Sequence, residues 1–304
     1  GDGWPDLYVT NDYGTTFLYH NEHNGTFKDE GLASGTAVGP DGRGYGNMAA
    51  DFGDFDRDGK LDLFVTRADD QPASLYWNQG EYFTDLASKA GIAKPTTAPV
   101  KWGTGFGDFD NDGWPDLLVA NGSFSSLLDA LPKEYRFAQP LQLFRNRGER
   151  TFEEVADAAG LNAGRMYSRR GTAFGDINND GQLDVVVFNA NAPPSVFLNE
   201  TKNGNHRVLF RLVGTKSNRG AVGARVRVTT SVMAQIDEVR AGGSYNSTND
   251  TRLHFGLGSE ATMKKIEVFW PSGLRQEFSD LAGDAIYEIR EGEVIRKVVA
   301  LPGS

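Results

Sequence analysis

The chain has 304 residues, a formal net charge of −10 at pH 7 and no cysteine. Its length leaves room for two domains, and the absence of cysteine excludes disulfide bonds. The acidic balance argues against a nucleic-acid partner. No apolar run in the sequence is long enough to span a membrane.

The chain opens on GDGWPDLYVT, which matches the second half of a longer motif found three times further along. The complete copies, DFDRDGKLD, DFDNDGWPD and DINNDGQLD, start at Asp54, Asp108 and Asp176. Carboxylates this close repel one another, and Ca²⁺ prefers the carboxylate and carbonyl oxygens that such a turn offers. The spacing resembles the start of an EF-hand loop, but a strand follows it. It therefore predicts a calcium loop within a β-hairpin.

We predict three complete calcium sites, called loops 2 to 4, and a halved one, loop 1, at the start of the chain. Asp-Gly pairs are also common in plain turns. Three copies in identical phase favour calcium over that alternative. Side-chain oxygens would come from positions 1, 3, 5 and 9, and position 7 would offer its backbone carbonyl. The predicted ligands are Asp2, Trp4 and Asp6; Asp54, Asp56, Asp58, Lys60 and Asp62; Asp108, Asp110, Asp112, Trp114 and Asp116; and Asp176, Asn178, Asp180, Gln182 and Asp184.

The sequence between the loops also repeats. Each loop is followed by a strand, a Leu-Tyr/Phe-x-Asn segment such as SLYWN, a strand that contains Phe, and a Gly-rich approach to the next loop. Repeats of this length with four short strands are typical of β-propeller blades. The alternative is a β-sandwich with accidental similarity. In a propeller, each loop would join the first and second strands of a blade.

The third repeat is longer than the second, and the excess lies between Ser123 and Pro140. Long insertions in repeats often carry function. We therefore weigh an interaction surface against a self-packed decoration with a short helix near Leu127–Leu131. The residues considered for contact are Leu127, Leu128, Leu131, Lys133, Glu134, Tyr135, Arg136 and Phe137.

The composition changes after Asn199. The Asp-rich loops of residues 1–199 give way to a polar linker at 200–207, and alternating segments from 208 to 304 predict a smaller β-domain. Within it, Pro271 and Gly273 suit positions i+1 and i+3 of a type I turn. The fold class predicted is therefore all-β, with propeller blades followed by a small C-terminal β-domain.

The loops and their surroundings resemble FG-GAP/VCBS-type calcium repeats, and the tail resembles the ASPIC/UnbV domain. The tail likeness is carried by LVGTKSNRGAVGARVRV, SYNSTNDTRLHFGLG and VFWPSGLRQ, and YRFAQPLQLFRN in the insertion resembles the same family. Together they are similar to the cartilage acidic protein family as it occurs in bacteria. The resemblance implies a seven-bladed type of propeller, secreted or surface-exposed, with further repeats upstream of Gly1. The segment YNST departs from the family, which more often has Ser-Gln there.

The sequence offers one catalytic alternative. Arg165, Tyr167, Arg169 and Arg170 lie in GRMYSRRG, and beside calcium they could serve a polysaccharide lyase acting on acidic sugars. The alternative is that this segment has no catalytic role and is a solvated loop that leads into a strand. The discriminating observation is whether these side chains converge with a calcium loop.

The leading functional prediction is a non-catalytic, calcium-stabilised binding or assembly module, either extracellular or periplasmic. Calcium loops of moderate affinity stay filled where calcium is millimolar. Its partners would be a protein or a glycan at the cell surface, a second copy, or a larger assembly of which it is an accessory subunit. Five Asn-x-Ser/Thr sequons are interpreted as surface turns, at Asn24, Asn121, Asn199, Asn246 and Asn249.

Overall fold

The computed structural model describes residues 3–39, 41–130 and 136–301, and for Leu128 the backbone alone. Asp2 and the predicted contact residues Leu131, Lys133, Glu134 and Tyr135 lie outside this part of the chain. The prediction of an all-β fold is confirmed, because the described elements are strands β1 to β22, one helix of four residues and one 3₁₀ turn.

Strands β1 to β14 form four consecutive antiparallel sheets, here called units 1 to 4, in the order of the sequence repeats. Unit 1 contains β1 (Leu7–Val9), β2 (Phe17–Asn21) and β3 (Phe27–Asp29). Unit 2 contains β4 (Asn47–Gly53), β5 (Asp62–Arg67), β6 (Ser74–Asn78) and β7 (Phe83–Asp85), and helix α1 (Ala93–Thr96) follows it. Unit 3 contains β8 (Lys101–Gly107), β9 (Asp116–Asn121), the 3₁₀ turn Ser126–Ala130, β10 (Gln142–Asn146) and β11 (Phe152–Glu154). Unit 4 contains β12 (Arg169–Gly175), β13 (Asp184–Asn189) and β14 (Ser195–Phe197).

Units 2, 3 and 4 open with the same hairpin. The last pairs before the loops are Gly53–Asp62, Gly107–Asp116 and Gly175–Asp184. Each hairpin also has a bulge near the start of its first strand, where three residues oppose two. The prediction that each loop joins the first and second strands of its unit is therefore confirmed for these three units. The total number of blades in a closed propeller stays a prediction.

The first strands β4, β8 and β12, here called the inner strands, lie against one another from unit to unit. Apolar side chains fill the space between neighbouring sheets. Phe64 of unit 2 packs with Leu117 and Phe144 of unit 3, and Leu118 of unit 3 packs with Phe174 and Val187 of unit 4. A single unit therefore does not enclose a core of its own, as expected of stacked repeats.

The remaining strands form two four-stranded sheets packed face to face, here called the C-terminal sandwich. One sheet has the order β18-β15-β21-β22 and the other β17-β16-β19-β20. The strands are β15 (His206–Val213), β16 (Arg225–Thr229), β17 (Ala234–Glu238), β18 (Leu253–Gly258), β19 (Thr262–Phe269), β20 (Arg275–Ala282), β21 (Ala285–Arg290) and β22 (Arg296–Ala300).

The C-terminal sandwich has one continuous apolar core, which includes Phe210, Phe255 and Trp270. The predicted turn at Pro271 is present, because the amide of Gly273 donates to the carbonyl of Trp270 at 2.9 Å. Strand β15 begins inside the segment predicted as linker, and the exact domain boundaries stay a prediction. No helix in the described ranges is long and apolar enough to cross a membrane.

Candidate calcium loops

Loops 2, 3 and 4 share one backbone conformation. In each, the residue at position 4 and the glycine at position 6 have positive φ angles, which tighten the turn so that its carboxylates face inward. Glycine adopts such angles at little cost, and Asn does so more readily than most residues. The angles are 60° and 86° for Arg57 and Gly59, 57° and 85° for Asn111 and Gly113, and 58° and 86° for Asn179 and Gly181.

The first aspartate of each loop is buried and is anchored in the same way. Oδ2 of Asp54, Asp108 and Asp176 accepts the amide hydrogen of the glycine at position 6, at 3.1, 2.7 and 2.9 Å respectively. This leaves Oδ1 of the same carboxylate facing the turn. In loops 3 and 4, Oδ1 also accepts the amide of position 5, at 3.1 and 3.0 Å.

In loop 2, Asp54 Oδ1 is buried and has no hydrogen-bond partner. One carboxylate oxygen from each of Asp54, Asp56 and Asp58 lies within 4.8 Å of the others. In loop 3 the same holds for Asp108, Asp110 and Asp116. An orphaned buried oxygen among three carboxylates fits a bound hard cation, because such a group is otherwise costly to bury.

The pKa values of the loop carboxylates reflect this crowding. Burial, with the other loop carboxylates adding to it, raises the pKa of Asp54 to about 7 and that of Asp62 to about 8. Burial and the neighbouring aspartates also raise the pKa of Asp108 and Asp116. Burial raises the pKa of Asp176 as well. A divalent cation would favour the charged form of every one of these groups.

The last aspartate of each motif connects the loop to the rest of its unit. Its Oδ2 accepts the amide of position 2, and its Oδ1 accepts the amide of an asparagine that ends the third strand or lies two residues beyond it. For Asp62, Asp116 and Asp184 these donors are Asn78, Asn146 and Asn199, each at 2.8 Å. In loop 1 the equivalent pair is Asp6 and Asn21, at 2.9 Å.

Sequence reasoning noted this asparagine in the Leu-Tyr/Phe-x-Asn segment but assigned it no role. Its side chain also crosses between units, because Asn146 Nδ2 donates to the carbonyl of Phe55 in loop 2 at 2.8 Å. Asn199 Nδ2 donates in the same way to the carbonyl of Phe109 in loop 3 at 2.7 Å. Its recurrence as the last residue of the segment that follows each loop was the signal that could have identified it.

Basic side chains occupy the outer rim of loops 2 and 3. Arg150 pairs with Asp56 at 2.7 Å, Lys60 with Asp58 at 2.7 Å, and Arg145 with Asp110 at 2.5 Å. Each contact uses the Oδ2 atom of its carboxylate and leaves Oδ1 to the turn. The rim cations therefore compensate part of the charge without filling the centre of the loop.

Loops 1 and 4 differ from the other two. Loop 4 has one carboxylate fewer, and Asn178 Oδ1 accepts the amide of Asp180 at 3.0 Å. In loop 1, Asp2 lies outside the described residues and Trp4 stacks on His23 with ring centres 4.8 Å apart. The assignment of individual ligands, including the carbonyls of Lys60, Trp114 and Gln182, stays a prediction.

In loops 2 and 3 the residue at position 4 contacts the next loop along the chain, and in loop 4 it contacts the C-terminal sandwich. Arg57 lies 3.6 Å from the ring centre of Trp114 in loop 3 and donates to the carbonyl of Gly113 at 2.7 Å. Asn111 donates to the side chain of Gln182 in loop 4 at 2.6 Å. Asn179 accepts from Arg252 of the C-terminal sandwich at 2.7 Å. The loops are therefore linked in series and not isolated.

The residues of the catalytic alternative lie far from the loop of their own unit. Arg169 begins β12 and Gly175 ends it, so the strand separates them from Asp176 by about 20 Å. Arg169 is fully buried and donates to the carbonyl of Gln139 at 2.6 Å. Arg170 stacks on Trp102 at 4.2 Å. Arg169 and Arg170 therefore contact neighbouring strands at the start of β12 and do not converge with loop 4.

The insertion and the sequons follow the predictions only in part. A 3₁₀ turn at Ser126–Ala130 lies close to the predicted helix, and Leu127 is 88% exposed.

The interpretation of all sequons as surface turns is wrong for Asn121. This residue is fully buried in β9, and its side chain donates to the carbonyl of Pro140 at 2.9 Å.

The comparisons with known families agree with this architecture. The FG-GAP-like repeat family matches residues 1–65, 54–119 and 135–187, and the ASPIC and UnbV family matches residues 214–296. The repeats account for more than half of the sequence. The chain therefore belongs to the FG-GAP-like repeat family and carries an ASPIC and UnbV domain.

The chain is also similar to curated proteins named cartilage acidic protein 1. The identity is 30% over 287 residues with the Mus musculus and the Homo sapiens proteins, and 28% over 281 residues with the Xenopus tropicalis protein. These matches cover 88% of the chain but only about 40% of the mouse relative. The chain thus spans about two fifths of the length of the relatives it matches.

Two solved structures show a weaker likeness. One describes specific recognition of non-reducing terminal N-acetylglucosamine by a lectin of Agrocybe aegerita, with a TM-score of 0.36 and 18% identity over 66% of this chain and 50% of the lectin. The other is the V. cholerae biofilm matrix protein Bap1, with a TM-score of 0.29 and 11% identity over 90% of this chain and 58% of that protein. Similarity at this level does not establish a shared fold.

Proposed function

We propose that the chain is a calcium-stabilised binding or assembly module that acts outside the cytosol and performs no catalytic turnover. Loops 2, 3 and 4 would each hold one Ca²⁺, with the aspartates at positions 1, 3, 5 and 9 and Asn178 of loop 4 as side-chain ligands. Calcium would neutralise carboxylates that otherwise repel one another and would hold the turn that joins the first two strands of each unit.

The observation that carries the proposal is the buried, unpartnered Oδ1 of Asp54 inside a cluster of three carboxylates. The same anchoring of the first and last aspartates recurs in loops 3 and 4 at nearly the same distances. A plain turn gains nothing from a buried carboxylate oxygen without a hydrogen-bond partner, whereas such an oxygen is free to bind a cation.

Two features support a binding role for the surface. The insertion exposes Phe124 and Leu127, and an insertion in one unit gives a partner a unique place to dock. Family membership and the similarity to cartilage acidic protein 1 support a protein or glycan partner outside the cell. A location with millimolar calcium would keep loops of moderate affinity filled.

The catalytic alternative, a calcium-dependent polysaccharide lyase, has less support. It requires Arg165, Tyr167 and the two arginines of β12 to act beside a calcium ion, and the described geometry keeps them at the opposite end of the strand. The test is an assay for unsaturated uronate ends released from acidic polysaccharides. We expect none, and release that Tyr167→Phe abolishes would replace our proposal by the lyase.

The calcium part of the proposal is tested by titration calorimetry and by metal content after dialysis. We expect three sites, and we expect Asp116→Asn to remove one of them, because Asp116 belongs to the carboxylate cluster of loop 3. Asp280→Asn is the matched control, since Asp280 is exposed and lies in the sandwich, outside every loop. Full calcium content in Asp116→Asn, or no calcium in the unmodified protein, would contradict the proposal.

A further inference from the structure

The C-terminal sandwich lies directly on the repeat units through residues 243–258, here called the docking segment. Its first part runs along the inner strands. The amide of Ser244 donates to the carbonyl of Ala50 in β4 at 3.1 Å, and its hydroxyl accepts the amide of Thr104 in β8 at 2.9 Å. The amide of Asp250 donates to the carbonyl of Phe174 in β12 at 2.8 Å. One segment therefore contacts three consecutive units.

The second part of the docking segment contacts the backbone of loops 3 and 4. The amide of Gly258 donates to the carbonyl of Asn111 at 2.8 Å. Arg252 Nη2 donates to the carbonyl of Asp176 at 2.6 Å, and His254 Nε2 lies 3.1 Å from the carbonyl of Gly181. All three acceptors are main-chain carbonyls of the candidate calcium loops, so their direction depends on the loop conformation.

Two glycines show how closely these surfaces approach each other. A Cβ atom added to Gly171 of β12 would lie 2.4 Å from the carbonyl oxygen of Tyr245. A Cβ atom added to Gly256 of β18 would lie 1.9 Å from Asp108 Oδ2, in loop 3 itself. At these two positions there is no space for a side chain, so the two surfaces are in close contact there.

Arg252 of the docking segment does not act as a substitute for calcium. Arg252 is paired with Asp250 of its own segment at 2.6 Å, and its other contacts are a carbonyl and the amide oxygen of Asn179. It therefore recognises the shape of the loop backbone. Without calcium the loop carboxylates would repel one another and the carbonyls would turn away from their donors.

From these contacts we infer that the docking segment binds the inner strands and loops 3 and 4 only when these loops hold calcium. The C-terminal sandwich is then an intramolecular partner of the calcium-loaded repeats, and loss of calcium releases it while its own core stays folded. This inference depends on the proposed function, because it requires calcium in loops 3 and 4.

The first test is hydrogen exchange of the full chain with calcium and with chelator. We expect the amides of Ser244, Asp250 and Gly258, which donate to the repeat units, to exchange about tenfold faster or more in chelator, as amides do when a protecting contact is lost. Amides of β16 and β19, in the core of the same sandwich, should not change. If the protein binds calcium and exchange at these three amides is the same in chelator, the inference fails although the proposed function stands. If it binds no calcium, both fail.

A second test relies on reciprocity, since docking that depends on calcium must in turn strengthen calcium binding. Arg252→Ala should weaken the affinity of one site about fivefold or more. Removal of a nearby positive charge would by itself strengthen calcium binding, so weaker binding identifies the docking contact. The control is Arg211→Ala, an exposed residue that pairs with Glu288 at 3.3 Å. Unchanged or tighter binding in Arg252→Ala would overturn the inference.

A third variant separates docking from charge. Gly171→Val places side-chain atoms against Tyr245 and Ser247. With calcium present, it should raise exchange at the amides of Ser244, Asp250 and Gly258 and weaken calcium binding, and unchanged values of both would contradict the inference. Gly164→Val is its control, because a Cβ atom at Gly164 meets nothing within 4 Å.

Discussion

The repeat units and the C-terminal sandwich are stabilised in different ways. The sandwich encloses an apolar core between its two sheets, in which the ring centre of Phe210 lies 6.0 Å from those of Phe255 and Tyr287. The repeat units divide their apolar residues between neighbouring sheets and bury several carboxylates at the ends of their hairpins. A region that buries charge in this way depends on its neighbours and on counter-ions, whereas a region with its own core does not.

Calcium removal should produce the largest difference in stability between the repeat units and the C-terminal sandwich. At calcium a thousandfold above Kd, each occupied loop would stabilise the repeats by about 4 kcal/mol, and chelation removes that contribution. The sandwich, which contains no such loop, should keep its own transition. Calorimetry with and without chelator measures both. Equal losses in the two regions, or none in the repeats, would remove the distinction.

An intermediate effect is expected from Asn146→Ala. This change leaves the buried carbonyl of Phe55 and the partly buried carbonyl of Pro115 without their donor, which costs about 2 kcal/mol. The loss should appear in the transition of the repeats only. Asn205→Ala is the matched control. Asn205 donates to the carbonyl of Asp110 from a partly exposed position, so its loss should cost less free energy of unfolding. Denaturant unfolding of both variants should show the larger loss of unfolding free energy for Asn146→Ala.

The smallest expected effect is the change in stability of the C-terminal sandwich at acid pH. Although burial raises it, hydrogen bonds from Ser272 and from the amides of Ser217, Thr215 and Lys216 lower the pKa of Glu291 to about 2. Because the folded pKa lies below the unfolded one, Glu291 stabilises the sandwich above about pH 4.5, and that contribution is lost as the pH falls towards 2. Glu291→Gln should cost about 1 kcal/mol at neutral pH and flatten this dependence. A sandwich transition with the same acid dependence in both proteins would show that Glu291 is not its source.

The sequence predicted the parts of the molecule that repeat with a fixed phase. The all-β class, the hairpin loops and the change of composition near residue 200 all follow from local patterns. The role of Asn146 was not predictable, because its acceptor in loop 2 becomes a neighbour only after two sheets stack. The same applies to Arg170, whose position beside acidic loops in the sequence suggested chemistry, while the length of β12 separates it from them.

The docking of residues 243–258 was also beyond sequence reasoning. Neither the glycines of the inner strands nor the segment SYNSTND carries a pattern that identifies the other as its partner. Their complementarity is a matter of shape, since Gly171 and Gly256 matter through the side chains they lack. Such a contact depends on tertiary structure and leaves no periodic signal.

The contacts made by Asn146 and Asn199 have a consequence for the order in which the chain matures during synthesis. Each asparagine comes from a later unit and completes the hydrogen bonding of the preceding loop, at Phe55 and at Phe109. A unit that has just left the ribosome therefore remains unfinished until the next one has folded against it. We therefore expect maturation to follow the direction of translation, and a chain that stalls between two units to expose the loop of the last one.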